Sequence, residues 1–315
     1  MRQTGSIDAV PVIDIADLGS PRALQAIDLA CREWGFFQAT GHGIAAADII
    51  ELFDVASAFF AQPAEAKSRI LRSGENPWGF FDKELTKNTR DWKEVYDYGP
   101  ADGNLLIPQW PDGLPSFQTA VQRYYEDCER LAYRLLDAIA RNLGIAGGHL
   151  ANSFEGSHSS FLRLNYYPKC PPEIAAEPDN SPFGVNQHTD AGALTLLLQD
   201  QQPGLEVFCD GTWHLVEPMP DALVINIGDI VQVWSNDRYK AGLHRVITNP
   251  QRDRFSVPFF FNPSYSTNYE PLPTMVDADN PPRYRTINWG EFRALRTAGD
   301  YADYGDEIQI THYRI

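Results

Sequence analysis

The sequence predicts a mixed α and β fold, with a helical N-terminal portion packed on a C-terminal β sandwich or barrel. Three observations carry this expectation. Apolar residues recur at intervals of three and four in three N-terminal stretches, the longest over 116–143, which is the spacing of one buried helix face. From Ser160 onward the texture changes to about eight short strand-like runs divided by Pro, Gly and Asp turns, as in sandwiches and barrels. No linker, low-complexity segment or internal repeat interrupts the 315 residues, which is enough chain to bury a large core as one compact unit.

In chain order, the apolar run Val10 to Ile15 reads as a first strand. Ser20 and Pro21 then supply an N-cap and a first helical residue, Leu24, Ile27, Cys31 and Trp34 follow at helical spacing, and Gly35 stops the helix. Residues 35–40 read as a second strand. The next six, Gly41-His42-Gly43-Ile44-Ala45-Ala46, match the G-x-G-x-x-G/A spacing of a dinucleotide fingerprint. The acidic residue such a site needs about twenty positions on would be Glu65, which falls in a polar loop and not at a strand end. A structural turn is the better account.

Residues 46–60 form a second amphipathic pattern, with Ile49, Ile50, Phe53, Val55 and Phe60 on its apolar side, and Pro63 and the 73–77 cluster mark the loop beyond. Trp78 to Tyr98 is aromatic and charged and reads as a strand across the outside of the barrel, aromatics inward. Ser116 to Leu143 is a support helix ended by Gly144. The expected strands are Phe161 to Tyr167, Leu194 to Gln199, Leu205 to Phe208, Trp213 to Glu217, Ala222 to Ile227, Gln232 to Ser235, His244 to Val246 and Arg254 to Asn262. Asn288 to Thr297 reads as a last helix and Ile308 to Ile315 as a closing extended segment.

Composition narrows the functional classes. Forty-two acidic against 26 basic residues give a formal charge of -16, which repels phosphate backbones and anionic lipid alike. Nucleic-acid and membrane partners are therefore not expected. There is no run of eighteen apolar residues and no signal-like segment in Met1 to Asp8, so a cytoplasmic location is expected. Cys31, Cys128, Cys170 and Cys209 are scattered without a C-x-x-C, a pattern of reduced core thiols and not of a zinc knuckle or disulfide framework. Nothing in the chain predicts its oligomeric state.

The chemistry concentrates around His188 and Asp190. Two residues apart on an extended strand, they would leave the same face and converge on one point. A second imidazole, offered by His244, would complete a 2-His-1-carboxylate triad, which covers one face of an octahedral iron and leaves the other positions open. Ten residues further, Arg254 and Ser256 repeat the two-residue spacing, and an arginine fork beside a hydroxyl suits a carboxylate. The apolar run into which Arg254 leads, Val257 to Phe261, suggests burial, and a buried guanidinium needs an anion. The remaining histidines, His42, His149, His158, His214 and His312, read as ordinary hydrogen-bonded side chains. Asp229 reads as part of a Gly-Asp bend that starts the next strand.

These residues resemble the iron(II) and 2-oxoglutarate-dependent dioxygenases, in particular the group that includes isopenicillin N synthase, 1-aminocyclopropane-1-carboxylate oxidase and the plant flavonoid and gibberellin oxidases. The resemblance begins at Pro11 to Ile15 and Trp34 to Gly43. It continues through Arg163-Leu164-Asn165-Tyr166-Tyr167-Pro168, His188 to Asp190, Asn226 to Asp229 and Arg254 to Ser256, in that order. It implies a double-stranded β-helix, or jelly roll, over 156–265, preceded by the N-terminal region 1–115 and the support helix and connection 116–155, and followed by a C-terminal extension over 266–315.

The resemblance also implies Fe(II) held by His188, Asp190 and His244, and 2-oxoglutarate held by Arg254 and Ser256 with Tyr167 and Asn165 near the iron end. Tyr166 would point away. O2 would be the oxidant, ascorbate an accessory reductant, and the reaction the hydroxylation, desaturation or cyclisation of a small organic molecule with release of succinate and CO2. Phe80, Phe81 and Tyr96 are the expected substrate contacts. The same R-x-S pair occurs in 2-oxoglutarate-independent oxidases of the isopenicillin N synthase type, which are the alternative. A catalytically silent jelly-roll binding module is the alternative from another class.

Overall fold

A computed structural model describes residues 9–86, 89–101, 106–172, 183–298 and 308–315. The N-terminal lead 1–8 and most of the polar tail after 298 lie outside the described residues. In chain order the elements are β1 (Val12–Asp14), α1 (Pro21–Glu33), β2 (Phe36–Thr40), α2 (Ala46–Phe60), α3 (Ala64–Lys67), β3 (Gly79–Phe81), β4 (Leu85–Thr86), β5 (Thr89–Arg90), β6 (Glu94–Tyr98) and α4 (Pro115–Asn142). There follow β7 (Phe161–Tyr167), β8 (Val185–His188), β9 (Leu194–Gln199), β10 (Leu205–Cys209), β11 (Thr212–Leu215), β12 (Leu223–Ile227), α5 (Asp229–Trp234), β13 (His244–Val246), β14 (Arg254–Phe261), β15 (Asn268–Tyr269), β16 (Ile287–Asn288) and α6 (Trp289–Ala298).

Among the described residues, a sheet of eight strands, β1-β2-β12-β9-β14-β7-β6-β3, faces one of four, β11-β10-β13-β8. The pairing is antiparallel except between β1 and β2. The two sheets form the jelly roll. Strand alternation decides what lies between them. On β14, Phe255, Val257, Phe259 and Phe261 join the helix-side core, where the Phe259 ring lies 5.1 Å from that of Tyr125 on α4. Arg254, Ser256, Pro258 and Phe260 point the other way, into the space between the sheets. The same parity holds on β7: Leu162, Leu164 and Tyr166 face the helices, while Arg163, Asn165 and Tyr167 face the interior of the roll.

The helices arise as their caps and periodicity dictate. Ser20 caps α1, its hydroxyl accepting from the Ala23 N–H at 3.3 Å, and Gly35 ends it at φ 67°, a conformation other residues rarely adopt. The 41–46 stretch is a turn in which the His42 ring accepts from the Ile44 N–H.

Four expectations need correction. Gln232 to Ser235 belongs to the helical turn α5 and not to a strand; Ile230, Val231, Val233 and Trp234 are all buried, and an apolar run buried on every side has no period to tell strand from helix. Trp78 to Tyr98 is two strands, β3 and β6, with the β4–β5 hairpin between them. The loop beyond Pro63 holds α3 and a 3-10 turn over Ser68–Ile70. The closing segment curls into a 3-10 turn over Ile310–Tyr313 instead of running extended.

Candidate active site

His188 ends β8 and His244 opens β13, and the two are directly paired across neighbouring strands. Their ring centroids are 4.3 Å apart. Asp190 is not on the strand, as its spacing from His188 had suggested; β8 stops at His188 and the carboxylate returns from the loop that follows. Its Oδ1 lies 3.6 Å from His188 Nε2 and 3.7 Å from His244 Nε2. Among the described residues these form the one cluster of His, Cys, Asp or Glu able to hold a metal, with all three ligand atoms within 4.8 Å of one another.

Each ligand is oriented from behind. The Nδ1 of His188 bonds the Asn186 carbonyl at 2.8 Å and that of His244 the Gly242 carbonyl at 3.0 Å. A carbonyl can only accept, so Nδ1 carries the proton and the Nε2 lone pairs face the cluster. Burial, with His188 alongside, pushes His244 down to about 4 against the pull of Asp190, which keeps the imidazole neutral and able to ligate. The other oxygen of Asp190, Oδ2, accepts from Thr195 Oγ1 at 2.5 Å on β9 and from Asn226 Nδ2 at 2.8 Å on β12. Burial raises this carboxyl, whereas positive charge on His244 or His188, when either is protonated, and the Asn226 hydrogen bond lower it by more, so that Asp190 is held well below the usual carboxylate range.

The loop carrying Asp190 is stitched to α5, since the Asp229 N–H donates to the Asp190 carbonyl at 2.8 Å and the Gly228 N–H to Ala193 at 3.0 Å. Gly228 has to be glycine there, because a Cβ would lie 2.1 Å from the Gly192 carbonyl oxygen. Asp229 opens α5, so the expected bend is present but begins a helix. Its carboxyl is fully buried and burial pushes it up to about 6.

Opposite the cluster, in a cavity of about 80 Å³ between the sheets, lies Arg254. It is 2% exposed. Its Nε donates to the Gln202 carbonyl at 3.2 Å and its Nη2 to Gln199 Oε1 at 2.8 Å, while Nη1 is buried with no hydrogen-bond partner. Among the described residues no carboxylate lies within ion-pair distance of this guanidinium. A buried cation with an unmet donor fits an anionic ligand that the cavity receives. Ser256, Asn165 and Tyr167 line the same cavity; Asn165 Nδ2 bonds Ser256 Oγ at 3.3 Å, Asn165 Oδ1 lacks a partner, and the Arg254 guanidinium lies 5.0 Å from the Tyr167 ring centre. Tyr166 faces away and stacks on Phe60 at 5.4 Å.

The expected substrate contacts are placed elsewhere. Phe80 and Tyr96 are a cross-strand pair whose side chains both leave on the helix face. The Tyr96 hydroxyl donates to the Gln109 carbonyl at 2.6 Å, and neither residue reaches the metal cluster. Phe81 is half-buried beneath the Arg72 guanidinium, 4.2 Å away. The side chains that do line a second cavity, of about 130 Å³ beside His188 and Asp190, include Thr86, Lys93, Phe161, Arg163, Trp289 and Arg293. Sequence reasoning missed Lys93 and Arg163, although Arg163 precedes Asn165 and Tyr167 at two-residue spacing and could have been read onto their face. Both belong to a buried ionic cluster: Glu84 pairs with Arg72, Lys93 and Arg163, and Asp97 with Arg72 and Arg163, at 2.6–3.0 Å.

Fold and site together fit a mononuclear iron centre of the 2-His-1-carboxylate type, set between the sheets of a jelly roll next to a buried arginine with an unmet donor. The sequence model of the 2OG-Fe(II) oxygenase superfamily matches residues 158–263, and that of the N-terminal region of the non-haem dioxygenase in morphine synthesis matches 10–113. The chain is 36% identical over 295 residues to flavanone 3-dioxygenase 2 of Oryza sativa subsp. japonica, covering 90% of this chain and 82% of that protein. It is 32% identical to hyoscyamine 6-dioxygenase of Hyoscyamus niger, covering 95% and 88%.

Among solved structures, that of JOX2 in complex with 2OG, Fe and JA superposes with a TM-score of 0.82 at 32% identity, over 91% of this chain and 84% of that one. A full-length Neurospora crassa protein in complex with alpha-KG and thymine gives 0.83 at 26% identity, over 95% and 98%. The chain belongs to the 2OG-Fe(II) oxygenase superfamily and is a dioxygenase that uses Fe(II), 2-oxoglutarate and O2 on a small molecule. Neither the 2-oxoglutarate-independent oxidase nor the silent binding module is favoured by these relatives. Among the described residues no helix is long and apolar enough to cross a membrane.

Proposed function

We propose that His188, Asp190 and His244 hold the iron, and that Arg254, with Ser256, Asn165 and Tyr167, holds 2-oxoglutarate beside it. The observation that carries this reading is the buried Arg254 fork with its unmatched Nη1, aimed into the same cavity as the three ligand atoms. Bound there, the iron and its cosubstrate supply the oxidation of an unactivated C–H bond, coupled to loss of CO2 and formation of succinate.

The chain's own residues bind and orient. Arg254 and Ser256 take the distal carboxylate, which directs the 2-oxo end toward His188, Asp190 and His244. Asn165, already bonded to Ser256, and Tyr167, beneath the guanidinium, close the cavity around it. Thr195 and Asn226 keep Asp190 Oδ2 engaged, so that Oδ1 alone would be left to hold the iron. The substrate enters on the side of Lys93, Arg163 and Trp289, where its oxidation is hydroxylation, desaturation or ring closure. No nucleic-acid or membrane partner is part of this reading, and a cytoplasmic location agrees with four buried free cysteines.

The test is anaerobic titration of the Fe(II)-loaded protein with 2-oxoglutarate, watching for the visible charge-transfer band of a chelated 2-oxoacid. Wild type should show the band, and Arg254→Ala should require about a hundredfold more 2-oxoglutarate, the loss of a charged, bidentate contact. Iron binding without any band would reassign Arg254 and Ser256 to a carboxylate on the substrate itself.

A further inference from the structure

Asp190 is the member of the triad that no strand ladder holds. His188 and His244 are fixed by the pairing of β8 with β13, but β8 stops at His188, and Thr189, the single residue between the two candidate ligands, already belongs to the loop. Asp190 needs other anchors. Its side chain is tied at Oδ2 to Thr195 and Asn226. Those bonds turn the carboxylate and do not place the backbone that carries it.

That backbone is placed by the two peptide groups flanking the Asp190 Cα, because each is planar and only the φ and ψ between them can turn. The group after Asp190 is held by α5, where the Asp229 N–H donates to the Asp190 carbonyl at 2.8 Å. The group before it is held by Arg296 on α6, whose Nη2 donates to the Thr189 carbonyl at 3.0 Å. Arg296 is 6% exposed, and its Nη1 donates to the Ile308 carbonyl at 2.8 Å. One guanidinium therefore joins α6, the loop between the two candidate ligands and the segment that begins at Ile308. The base it stands on is firm: Trp289 and Phe292 of α6 are fully buried, and Trp289 Nε1 donates to Ser159 Oγ at 2.8 Å. Arg296 also acts on the other anchor, since burial raises the Asp229 carboxyl and the Arg296 charge draws it back.

We propose that Arg296 is a positioning residue for the iron: by holding the peptide between Thr189 and Asp190 from α6, it keeps Asp190 Oδ1 turned toward His188 and His244. This rests on the metal site proposed above. An arginine suits the task because its planar fork spreads N–H donors over two carbonyls on separate segments, whereas a lysine carries its donors on one point. The charge gives the proposal a sign. A guanidinium that acted only as a nearby cation would repel a divalent metal, so its removal would tighten binding. One that positions a ligand has the opposite effect.

The test measures Fe(II) affinity on the full chain, anaerobically and by competition with a chelator. Arg296→Met keeps the length and the apolar stem without the donors or the charge, and should bind Fe(II) about 10- to 100-fold more weakly than wild type. Arg296→Lys keeps the charge but not the fork and should fall between the two; it carries the test by itself if Arg296→Met does not fold. Phe292→Leu loosens the packing of α6 and leaves Arg296 in place. It should lower the unfolding midpoint of the metal-free protein without changing Fe(II) affinity. With iron and 2-oxoglutarate both saturating, the visible charge-transfer band of Arg296→Met should be displaced from that of wild type, because a shifted carboxylate changes the field at the metal.

Four results would overturn the proposal: unchanged or tighter Fe(II) binding by Arg296→Met, Arg296→Lys equal to wild type, a loss of affinity matched in Phe292→Leu, or an undisplaced band. A wild-type protein that binds no Fe(II), or one whose Fe(II) binding survives Asp190→Ala, refutes the metal assignment instead, and so the two failures are told apart.

Discussion

Asp190 turns its two oxygens to different neighbours, and the difference is set by residues outside the His188, Asp190 and His244 cluster. Oδ1 faces the imidazoles, whereas Oδ2 is tied to Thr195 and Asn226 from two strands of the large sheet. Asn226→Ala removes one donor and frees the carboxylate to rotate. The expected outcome is about 10- to 100-fold weaker Fe(II) binding, measured by metal competition on the isolated protein, with little change in the unfolding midpoint. An unchanged iron affinity would mean that Thr195 alone fixes the carboxylate. The roles proposed for His188, His244 and Arg254 follow from spacing and resemblance. Those of Asn226 and Thr195 do not, because a hydrogen bond to a ligand's second oxygen leaves no periodic mark in the chain.

Elements decide how these residues meet. The loop after β8 reaches the metal cluster only because it lies against the start of α5, and Gly228 allows that approach. Gly228→Ala places a methyl group where the Gly192 carbonyl now sits and should push the Asp190 loop outward. A loss of about 1–3 kcal/mol in chemical denaturation, together with weakened metal binding, is the expected result; retained iron affinity would show that the loop yields elsewhere. The sequence showed β7 and β14 because apolar residues alternate along them. It placed His188 on a strand through the spacing to Asp190 alone, since Val-Asn-Gln-His of β8 has no such alternation and is held by pairing with β13. The aromatic pair Phe80 and Tyr96 was legible as inward-facing, but the interior it faces is the helix-packed core, because β3 and β6 extend the large sheet.

At the scale of the whole molecule, the roll encloses a charged interior beside an aromatic one. Burial alone would raise the Glu84 carboxyl, but Arg163, Lys93 and Arg72 around it outweigh burial and hold it well below its ordinary value. A carboxyl depressed in the folded state adds stability above its unfolded value, about pH 4.3, and that stability is lost as pH falls through the folded value. Glu84→Gln should therefore cost about 3–5 kcal/mol at pH 7, since it leaves buried cations unpaired. The gap to wild type should persist down to about pH 4 and close only in stronger acid, as urea unfolding across pH would show. A gap that narrows already between pH 7 and 5 would contradict the depressed carboxyl.

By itself the sequence determined the helices α1, α2 and α4, the alternating strands, the triad and the Arg254 pair, because caps, periodicity and two-residue spacing are local properties that residue identity carries directly. Only the tertiary structure decided that Asp190 reaches its partners from a loop and that Thr195 and Asn226 hold it. It alone decided that Lys93, Arg163 and Arg293, far apart in the chain, line one cavity beside His188 and Asp190. The physical reason is that alternation assigns side chains to two faces of a strand, whereas which face becomes the cavity depends on what the rest of the chain packs against the other.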